Sequence, residues 1–376
     1  MDLEMLQDRA RIIRRVRSFF DSMDYLELDT PLLSPDLIPE SCLEVFQTMR
    51  VLPSGKTKPY WLVPSPEIWM KKAIARHKTS VYQICKCFRN GESSGHLHSP
   101  EFTMLEYYTM EAGYLDSLEL TERMFAFLAD DFAESHVNQF WREDGCGGMF
   151  FSISAGRYGV EPRMGGNGRP ACRAGVRGAC PPPEKLISVA ESGLRPPFTR
   201  LTVAEAFARH AGFDLFAEAE REGGLESQAR RLGLEPQPGT ETAVLYDLIF
   251  IHAVEPALRS YGPVALLDYP AFVPCLAKLG ADARTVERWE LYYNGIELAN
   301  CFSEETDSGR VRSFFESEAA AKSESALVRH DVDADYWKLF SGGFPRCSGV
   351  ALGLDRLMMA LLGRSTVDAV LPFPME

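Results

Sequence analysis

The chain has 376 residues, enough to bury a large core, and its 45% hydrophobic and 25% charged residues are ordinary for a globular protein. Its formal net charge of −13 disfavours broad, salt-dependent nucleic-acid binding, which draws on surfaces rich in lysine and arginine. No apolar run of about 18 residues predicts a membrane span, and the acidic start of the chain lacks the apolar core of a secretory signal, so we expect a cytoplasmic location. The nine cysteines are scattered, and in the cytosol we expect them to be reduced.

The N-terminal segment predicts a helix followed by a strand. Apolar side chains from Ile12 to Phe20 recur at i, i+1, i+4, i+7 and i+8, with arginines on the other side, which predicts an amphipathic helix over residues 8–22. Residues 25–30 then alternate like a strand that stops at Pro31. We therefore expect a helix that packs on a sheet.

A turn beginning at Pro64 leads into a second predicted helix. Ser65 and Glu67 are residue types that satisfy the amides of a first helical turn, so helix capping alone explains them. A role for these side chains in binding a substrate is the alternative.

A strand–loop–strand turn carries the most informative residues of the chain. Alternate side chains of residues 81–89 share one face of a predicted strand, and those of residues 102–108 share one face of the next. The turn between them brings together a permanent cation, a carboxylate, a histidine and an aromatic ring, which are Arg89, Glu92, His98 and Phe102. These groups are what binding ATP by its phosphates and its adenine requires.

Residues 141–197 interrupt the periodic pattern. They are rich in Gly, Pro, Arg and Cys, which predicts a long, flexible insertion. This insertion is either a solvated loop or a basic docking arm for an acidic partner. Helices are predicted on both sides of it, at residues 115–130, 203–210 and 242–258.

Residues 290–300 predict a β-hairpin. Asn294-Gly295 between strand-forming residues is suited to a type I′ turn, which would pair Tyr293 with Ile296 and Glu290 with Ala299. Glu290 and Glu297 then share a face as diagonal neighbours roughly 7–8 Å apart. Two carboxylates at this separation suit Mg²⁺ on ATP phosphates, or one metal and one substrate ammonium, although an exposed polar face is equally consistent. Strict alternation places Asn300 on the other face.

A glycine-rich strand runs into a helix near the C-terminus. Residues 348–353 are small, and apolar residues from Leu354 to Leu362 form a helical stripe that Gly363 closes. Arg356 lies off this stripe in the first turn, where it would reach a phosphate while the helix N-terminus adds positive potential.

Together these segments resemble motifs 1, 2 and 3 of class II aminoacyl-tRNA synthetases, in that order and in the lysyl branch. Residues 8–31 resemble motif 1, residues 88–106 motif 2 and residues 348–356 motif 3. Motif 1 begins almost at the first residue, without room for an anticodon-binding barrel, so the chain resembles in particular the stand-alone elongation factor P lysine ligases. The resemblance implies one α+β domain over residues 1–376, with an antiparallel sheet flanked by helices, and a homodimer formed through motif 1.

The resemblance also implies an activity. It is the ATP- and Mg²⁺-dependent activation of (R)-β-lysine or lysine as an adenylate, followed by transfer to a lysine side chain of elongation factor P; tRNA is not expected as a partner. A truncated lysyl-tRNA synthetase relative that charges tRNA or another small acceptor is one alternative. A non-catalytic regulatory paralogue is another.

Individual roles follow from the same resemblance. The expected catalytic residues are Arg89 at the α-phosphate, Arg356 at the γ-phosphate and Glu290, which carries Mg²⁺ with Glu297. At Ala351 lysyl-tRNA synthetases have glycine, and the added methyl group would favour β-lysine by about 1–3 kcal/mol. The expected ATP contacts are Arg89, Asn90, Glu92, His98, Ser99, Phe102, Glu290, Leu291, Gly353 and Arg356. The expected amino-acid contacts are Ser65, Pro66, Glu67, Tyr108, Glu297, Asn300 and Ala351.

Overall fold

The computed structural model describes residues 2–91, 96–134 and 193–374. The described α-helices are α1 (Leu3–Asp21), α2 (Glu67–His77), α3 (Tyr114–Glu134), α4 (Val203–Ala206), α5 (Leu215–Glu220), α6 (Gly224–Arg231), α7 (Thr242–Ile249), α8 (Glu255–Leu258), α9 (Ser308–Ser325), α10 (Lys338–Ser341) and α11 (Leu354–Leu361). The π-helical segments Phe207–Ala211 and Phe250–Val254 continue α4 and α7. The strands are β1 (Leu26–Glu27), β2 (Leu33–Ser34), β3 (Gln47–Val51), β4 (Thr57–Leu62), β5 (Val81–Phe88), β6 (Glu101–Met110), β7 (Thr199–Thr202), β8 (Val264–Pro270), β9 (Thr285–Tyr293), β10 (Ile296–Ser303) and β11 (Cys347–Gly353).

Eight strands form one large sheet in the order β1-β5-β6-β11-β10-β9-β8-β7. The five inner pairings are antiparallel, whereas the two edge strands, β1 and β7, pair with their neighbours in parallel. The predicted α+β class with helices around a sheet is confirmed, and the expectation of a purely antiparallel sheet is corrected at both edges. Strands β2, β4 and β3 form a separate small sheet.

One face of the large sheet carries the main apolar core. Helices α1, α3 and α11 pack on it, and side chains such as Phe20, Tyr107 and Trp289 are buried there. Asp355, in the first turn of α11, anchors this layer because its carboxylate accepts from the Arg9 Nη1 atom of α1 at 2.6 Å and from the Thr103 amide of β6 at 2.6 Å. The neighbouring Arg356 is thereby held at the edge of the opposite face.

The opposite face is bordered by two further helical layers. Helices α4 to α8 pack around Tyr292 and Leu266 at one end of the sheet. Helices α2, α9 and α10 pack around Val81 and Tyr108 at the other end. The middle of this face lies between the two layers and is the floor of a cavity.

A single row of paired residues crosses that floor. Gln83 pairs with Glu106, Glu106 with Ala351, Ala351 with Asn300, and Asn300 with Glu290. Residues paired across neighbouring strands point to the same face of a sheet. The row therefore delivers side chains from five strands to one surface.

The β9–β10 hairpin follows its predicted register through the pair of Tyr292 with Glu297 and departs from it beyond that pair. Asn294 and Gly295 have φ values of 52° and 76°, as the predicted type I′ turn requires, and Tyr293 pairs with Ile296. A β-bulge at Leu298 then adds one residue to β10, so that Glu290 pairs with Asn300. The predicted pairing of Glu290 with Ala299 and the predicted placement of Asn300 on the other face are therefore wrong.

Most of the predicted insertion at residues 141–197 lies outside the described residues, as does Glu92. Where the description resumes, Leu194 is buried in the main core. None of the described helices combines the length and the apolar character that crossing a bilayer demands.

Candidate active site

A cavity of about 560 Å³ lies on the sheet face between the two helical layers. Arg89 from the end of β5 and Arg356 from α11 both line it, although they are far apart in the chain. The predicted site residues that line it are Ser65, Glu67, Arg89, His98, Ser99, Phe102, Tyr108, Glu290, Glu297, Asn300, Ala351, Gly353 and Arg356. The structure thus brings together most of the side chains singled out from the sequence.

Three predicted contacts lie elsewhere. Leu291 is fully buried in the main core on the opposite face, which leaves only its backbone for a contact with ATP. Asn90 bonds within its own surroundings, since its side chain donates to the Val45 carbonyl at 3.4 Å and accepts from the Gly91 amide at 2.9 Å. Pro66 is the N-cap residue of α2. Their proposed roles stay predictions.

Arg89 and Phe102 form the first half of the expected nucleotide site. The Arg89 amide donates to the Pro100 carbonyl at 3.1 Å, which closes the loop between β5 and β6. The Arg89 guanidinium carbon lies 5.2 Å from the centre of the Phe102 ring, within range of a cation–π contact. A flat aromatic surface and a fixed positive charge therefore stand side by side.

Arg356 forms the second half. Its Nη1 atom donates to the Glu297 carbonyl at 2.9 Å, and its Nη2 atom lies 2.8 Å from His98 Nε2. These bonds connect α11 to the β9–β10 hairpin and to the loop before β6. Gly353, at the junction of β11 and α11, exposes its backbone to the same cavity.

Glu290 is surrounded by hydrogen-bond donors. The hydroxyl groups of Tyr269 and Tyr292 donate to its Oε2 atom at 2.6 and 2.7 Å, and Arg288 forms an ion pair with Oε1. Arg288 also donates to the Asn300 side chain at 3.1 Å, which fixes both acceptors on the floor. Arg288 was not among the predicted site residues, although it lies two residues before Glu290 and so on the same face of β9.

The two hairpin carboxylates offer a limited magnesium site. Carboxylate oxygens are the ligands that Mg²⁺ prefers, and Glu297 is held only loosely, at 3.8 Å from Arg356 Nη1, while Glu290 keeps one unused acceptor position. Burial, and then the neighbouring Glu290, raise the pKa of Glu297, while Arg356, Arg89 and Arg288 oppose the rise. Within the described ranges no group of three His, Cys, Asp or Glu residues could hold a metal alone. The donor set fits Mg²⁺ if nucleotide oxygens and water complete it.

A buried acidic cluster occupies the end of the cavity beside α2. Glu106 accepts from Ser65 Oγ at 2.6 Å and from the Tyr108 hydroxyl at 2.8 Å. Lys71 joins two further carboxylates, Glu67 at 2.5 Å and Glu304 at 2.6 Å. Three carboxylates therefore share one lysine, and the cluster has room for additional positive charge.

The pKa values of Glu106 and Glu304 are raised in this cluster, where carboxylates outnumber cations. Burial, and then Glu67, raise the pKa of Glu106 to about 7. Burial raises the pKa of Glu304 to about 8, against the opposing effect of Lys71. A bound ammonium group would reverse both shifts, because an opposite charge favours the ionised carboxylate. The signal for Glu106 was available in the alternation of β6, whereas Lys71 and Glu304 come from segments that no local pattern connects.

The floor next to this cluster is made of small residues. A Cβ atom at Gly349 would lie 2.5 Å from the Tyr108 ring and 2.9 Å from Glu304 Oε1, so only glycine fits there. Ala351 is the next residue of β11 on this face, two positions after Gly349, and it lies between Glu106 and Asn300. Adding or removing a single methyl group on this part of β11 would therefore change the space that a ligand has above the strand.

Comparison with known proteins agrees with this arrangement. The family model described as tRNA synthetases class II (D, K and N) matches residues 3–376. A protein of Avibacterium paragallinarum named elongation factor P–(R)-β-lysine ligase is 30% identical over 376 residues, which are 100% of this chain and 96% of the relative. Relatives of the same name from Vibrio cholerae, 31% identical over 99% of this chain and 95% of theirs, and from Pasteurella multocida, 29% identical over 100% and 96%, are equally extensive. The chain is thus an ATP-dependent ligase that belongs to the class II tRNA synthetase family (D, K and N), within the group formed by these elongation factor P ligases.

Proposed function

We propose that the protein activates (R)-β-lysine or lysine with ATP and transfers it to a lysine side chain of elongation factor P. The observation that carries the proposal is the shared cavity, in which Arg89 and Arg356 face the same space as the acidic cluster of Glu67, Glu106 and Glu304. The relatives, which match over nearly their whole length, are named for this reaction.

The first step joins the amino-acid carboxylate to the α-phosphate of ATP. A carboxylate oxygen attacks phosphorus, the bond to the β-phosphate breaks and pyrophosphate leaves, so no general base is required. Arg89 would neutralise the charge that develops on the α-phosphate, and Arg356 would hold the γ-phosphate. Mg²⁺, when bound, would offset further phosphate charge and would be held by Glu290, which leaves Glu297 for the substrate. Positioning and electrostatics supply most of the rate in this scheme.

The acidic cluster supports a substrate with two ammonium groups. Ser65 and Tyr108 orient Glu106 by donating to separate oxygens of its carboxylate. A buried carboxylate without enough cations is costly, so a cationic ligand is bound more strongly than a neutral one of the same shape. Glu297 would receive the other ammonium group. The methyl group of Ala351 supports a preference for the β-isomer.

The second step forms an amide. The acceptor ammonium first releases one proton to solvent, the resulting amine attacks the acyl carbon of the adenylate and AMP leaves, and a second proton passes to solvent as the amide bond forms. We propose elongation factor P as the acceptor because the relatives carry that acceptor in their names.

We further propose that the protein acts as a homodimer in the cytoplasm. Strand β1 is a two-residue edge strand with Leu26 exposed, and the motif 1 resemblance assigns this region to the contact between subunits. Light scattering of the purified protein is expected to give twice the mass of one chain. A mass of one chain at micromolar concentration would contradict the proposal.

The acceptor assay tests the main proposal. Purified elongation factor P and purified tRNA are offered side by side with ATP, Mg²⁺ and labelled lysine or (R)-β-lysine. Label is expected on elongation factor P. Label on tRNA alone would identify a tRNA-charging enzyme instead. A protein without amino-acid-dependent ATP–pyrophosphate exchange would fit the regulatory alternative.

A further inference from the structure

Three large apolar side chains are exposed along one helix near the cavity. Val244 and Leu248 in α7 and Ile251 in its π-helical continuation are 47%, 38% and 61% exposed. Their spacing of i, i+4 and i+7 places them along one side of the helix. We name Val244, Asp247, Leu248 and Ile251 the 244–251 ridge.

The other side of the same helix is firmly packed. Leu245, Tyr246, Ile249 and Phe250 are buried in the layer that borders the cavity. Phe207 stacks on Tyr246 with ring centres 5.2 Å apart. The helix is therefore held in place without any contribution from the ridge, whose apolar side chains stay available for a partner.

The ridge is continuous with the mouth of the cavity. Asp247 lies on the ridge side, three residues after Val244, and it lines the cavity. Among the described carboxylates that line the cavity, Asp247 is exposed, whereas the others are buried or half-buried. A group that enters the cavity from the solvent along the ridge meets this carboxylate first.

We propose that the 244–251 ridge docks the acceptor protein, and that Asp247 receives the ammonium group of its lysine at the entrance. This inference rests on the proposed function and names its surface. The occupant is the part of elongation factor P that carries the modified lysine, and docking requires that apolar side chains beside this lysine cover Val244, Leu248 and Ile251. Charge complementarity favours it, because Asp247 is negative and the entering side chain is positive. A tRNA would find no lysine or arginine on the ridge for its phosphates.

Substitutions on the ridge separate docking from adenylate formation. Leu248→Ser and Ile251→Ser change exposed side chains, so the fold is retained. The Michaelis constant for elongation factor P is expected to rise about five- to tenfold, as for an apolar contact at a protein interface. Amino-acid-dependent ATP–pyrophosphate exchange is expected to stay at the wild-type rate, since the ridge leucine and isoleucine do not line the cavity.

Leu115→Ser is the matched control. Leu115 is 40% exposed, close to the value for Leu248, but it lies on α3, which covers the opposite face of the sheet. This variant is expected to keep the wild-type Michaelis constant for elongation factor P. A separate variant tests the negative charge of Asp247. Asp247→Asn is expected to lower the rate of transfer to elongation factor P relative to the rate of ATP–pyrophosphate exchange.

The remaining outcomes would contradict the docking surface, the role of Asp247 or the proposed function itself. Ridge variants with the same Michaelis constant as Leu115→Ser would exclude docking at this surface, and an unchanged ratio in Asp247→Asn would exclude its role at the entrance. Dissociation of an oligomer in the ridge variants would assign the ridge to a contact between copies. A wild-type protein that does not modify elongation factor P would overturn the proposed function, and the docking inference with it, before any variant is measured.

Discussion

The Nη2 atom of Arg356 lies 2.8 Å from the Nε2 atom of His98. A guanidinium group only donates hydrogen bonds, so Nε2 must accept, and the imidazole is neutral with its proton on Nδ1. His98 therefore acts on Arg356 as a positioning residue that points the guanidinium into the cavity. This pair connects the loop before β6 to the first turn of α11.

Replacing His98 is expected to weaken ATP binding. His98→Ala removes the acceptor, and a hydrogen bond to a charged group contributes roughly 1.5–3 kcal/mol, so the Michaelis constant for ATP should rise while that for lysine changes little. His98→Gln keeps an acceptor oxygen and should recover part of the loss. Steady-state ATP–pyrophosphate exchange measures both constants. Equal defects in the two variants would contradict a positioning role.

Arg89→Ala is expected to slow adenylation by raising its activation free energy by about 2.7–4 kcal/mol, as for the loss of one preorganised donor at a developing charge. Single-turnover formation of the adenylate is the measurement, and thermal unfolding should show that the fold is retained. Arg50→Ala, at an exposed arginine on β3, is the control and should be neutral. Near-normal adenylation by Arg89→Ala would show that this guanidinium does not touch the phosphate.

The raised pKa of Glu106 predicts how stability depends on pH. Its pKa of about 7 in the folded protein exceeds the ordinary value of 4.5, so the folded state holds a proton that the unfolded state has already released. Its contribution is complete below about pH 4.5 and is lost as the pH rises through about 7. The melting temperature of the ligand-free protein should therefore fall from pH 5 to pH 8. Glu106→Gln should make this fall shallower.

Free lysine, added as a ligand, provides the internal control for that experiment. Its ammonium group stabilises the ionised cluster, so the rise in melting temperature on adding saturating lysine should grow as the pH increases over the same interval. A wild-type slope in Glu106→Gln, together with a lysine effect that does not vary with pH, would place the titrating group elsewhere.

The methyl group of Ala351 is expected to set the preference between isomers. Ala351→Gly enlarges the floor and should improve the use of lysine relative to (R)-β-lysine, by at most about 1–3 kcal/mol in kcat/KM. Competition between the two labelled isomers measures the ratio directly. Gly349→Ala is the contrasting change, because its new Cβ atom would lie 2.5 Å from the Tyr108 ring, and it should impair both isomers alike. An unchanged ratio in Ala351→Gly would remove Ala351 from the selection.

Local patterns predicted the faces of the central strands. The alternation of residues 102–108 placed Phe102, Glu106 and Tyr108 on one surface, and the Asn-Gly turn fixed the start of the β9–β10 hairpin. The edge strands were harder, because parallel pairing joins segments distant in sequence and leaves no local signature.

The acidic cluster shows what the sequence could not supply. Glu67, Glu106 and Glu304 lie in three separate segments, and their common environment depends on α2 and β10 being carried to the same end of the sheet. Their raised pKa values depend on burial, which is a property of the assembled fold. The bulge at Leu298 was visible only as two adjacent apolar residues, Leu298 and Ala299, which both turn into the main core.

Because of the β-bulge at Leu298, the placement of Asn300 in the active site depends on the number of residues in β10. Leu298→Ala would shorten a core side chain and leave the register of β10 unchanged, so scanning substitutions would report only a loss of packing. Deleting residue 298 would remove the bulge and keep Asn300 opposite Glu290, whereas inserting one residue after it would shift Asn300 by one position, to the other face and away from Glu290 and Arg288. A one-residue insertion at this point should therefore abolish activity that a single substitution of Leu298 by a smaller apolar residue preserves.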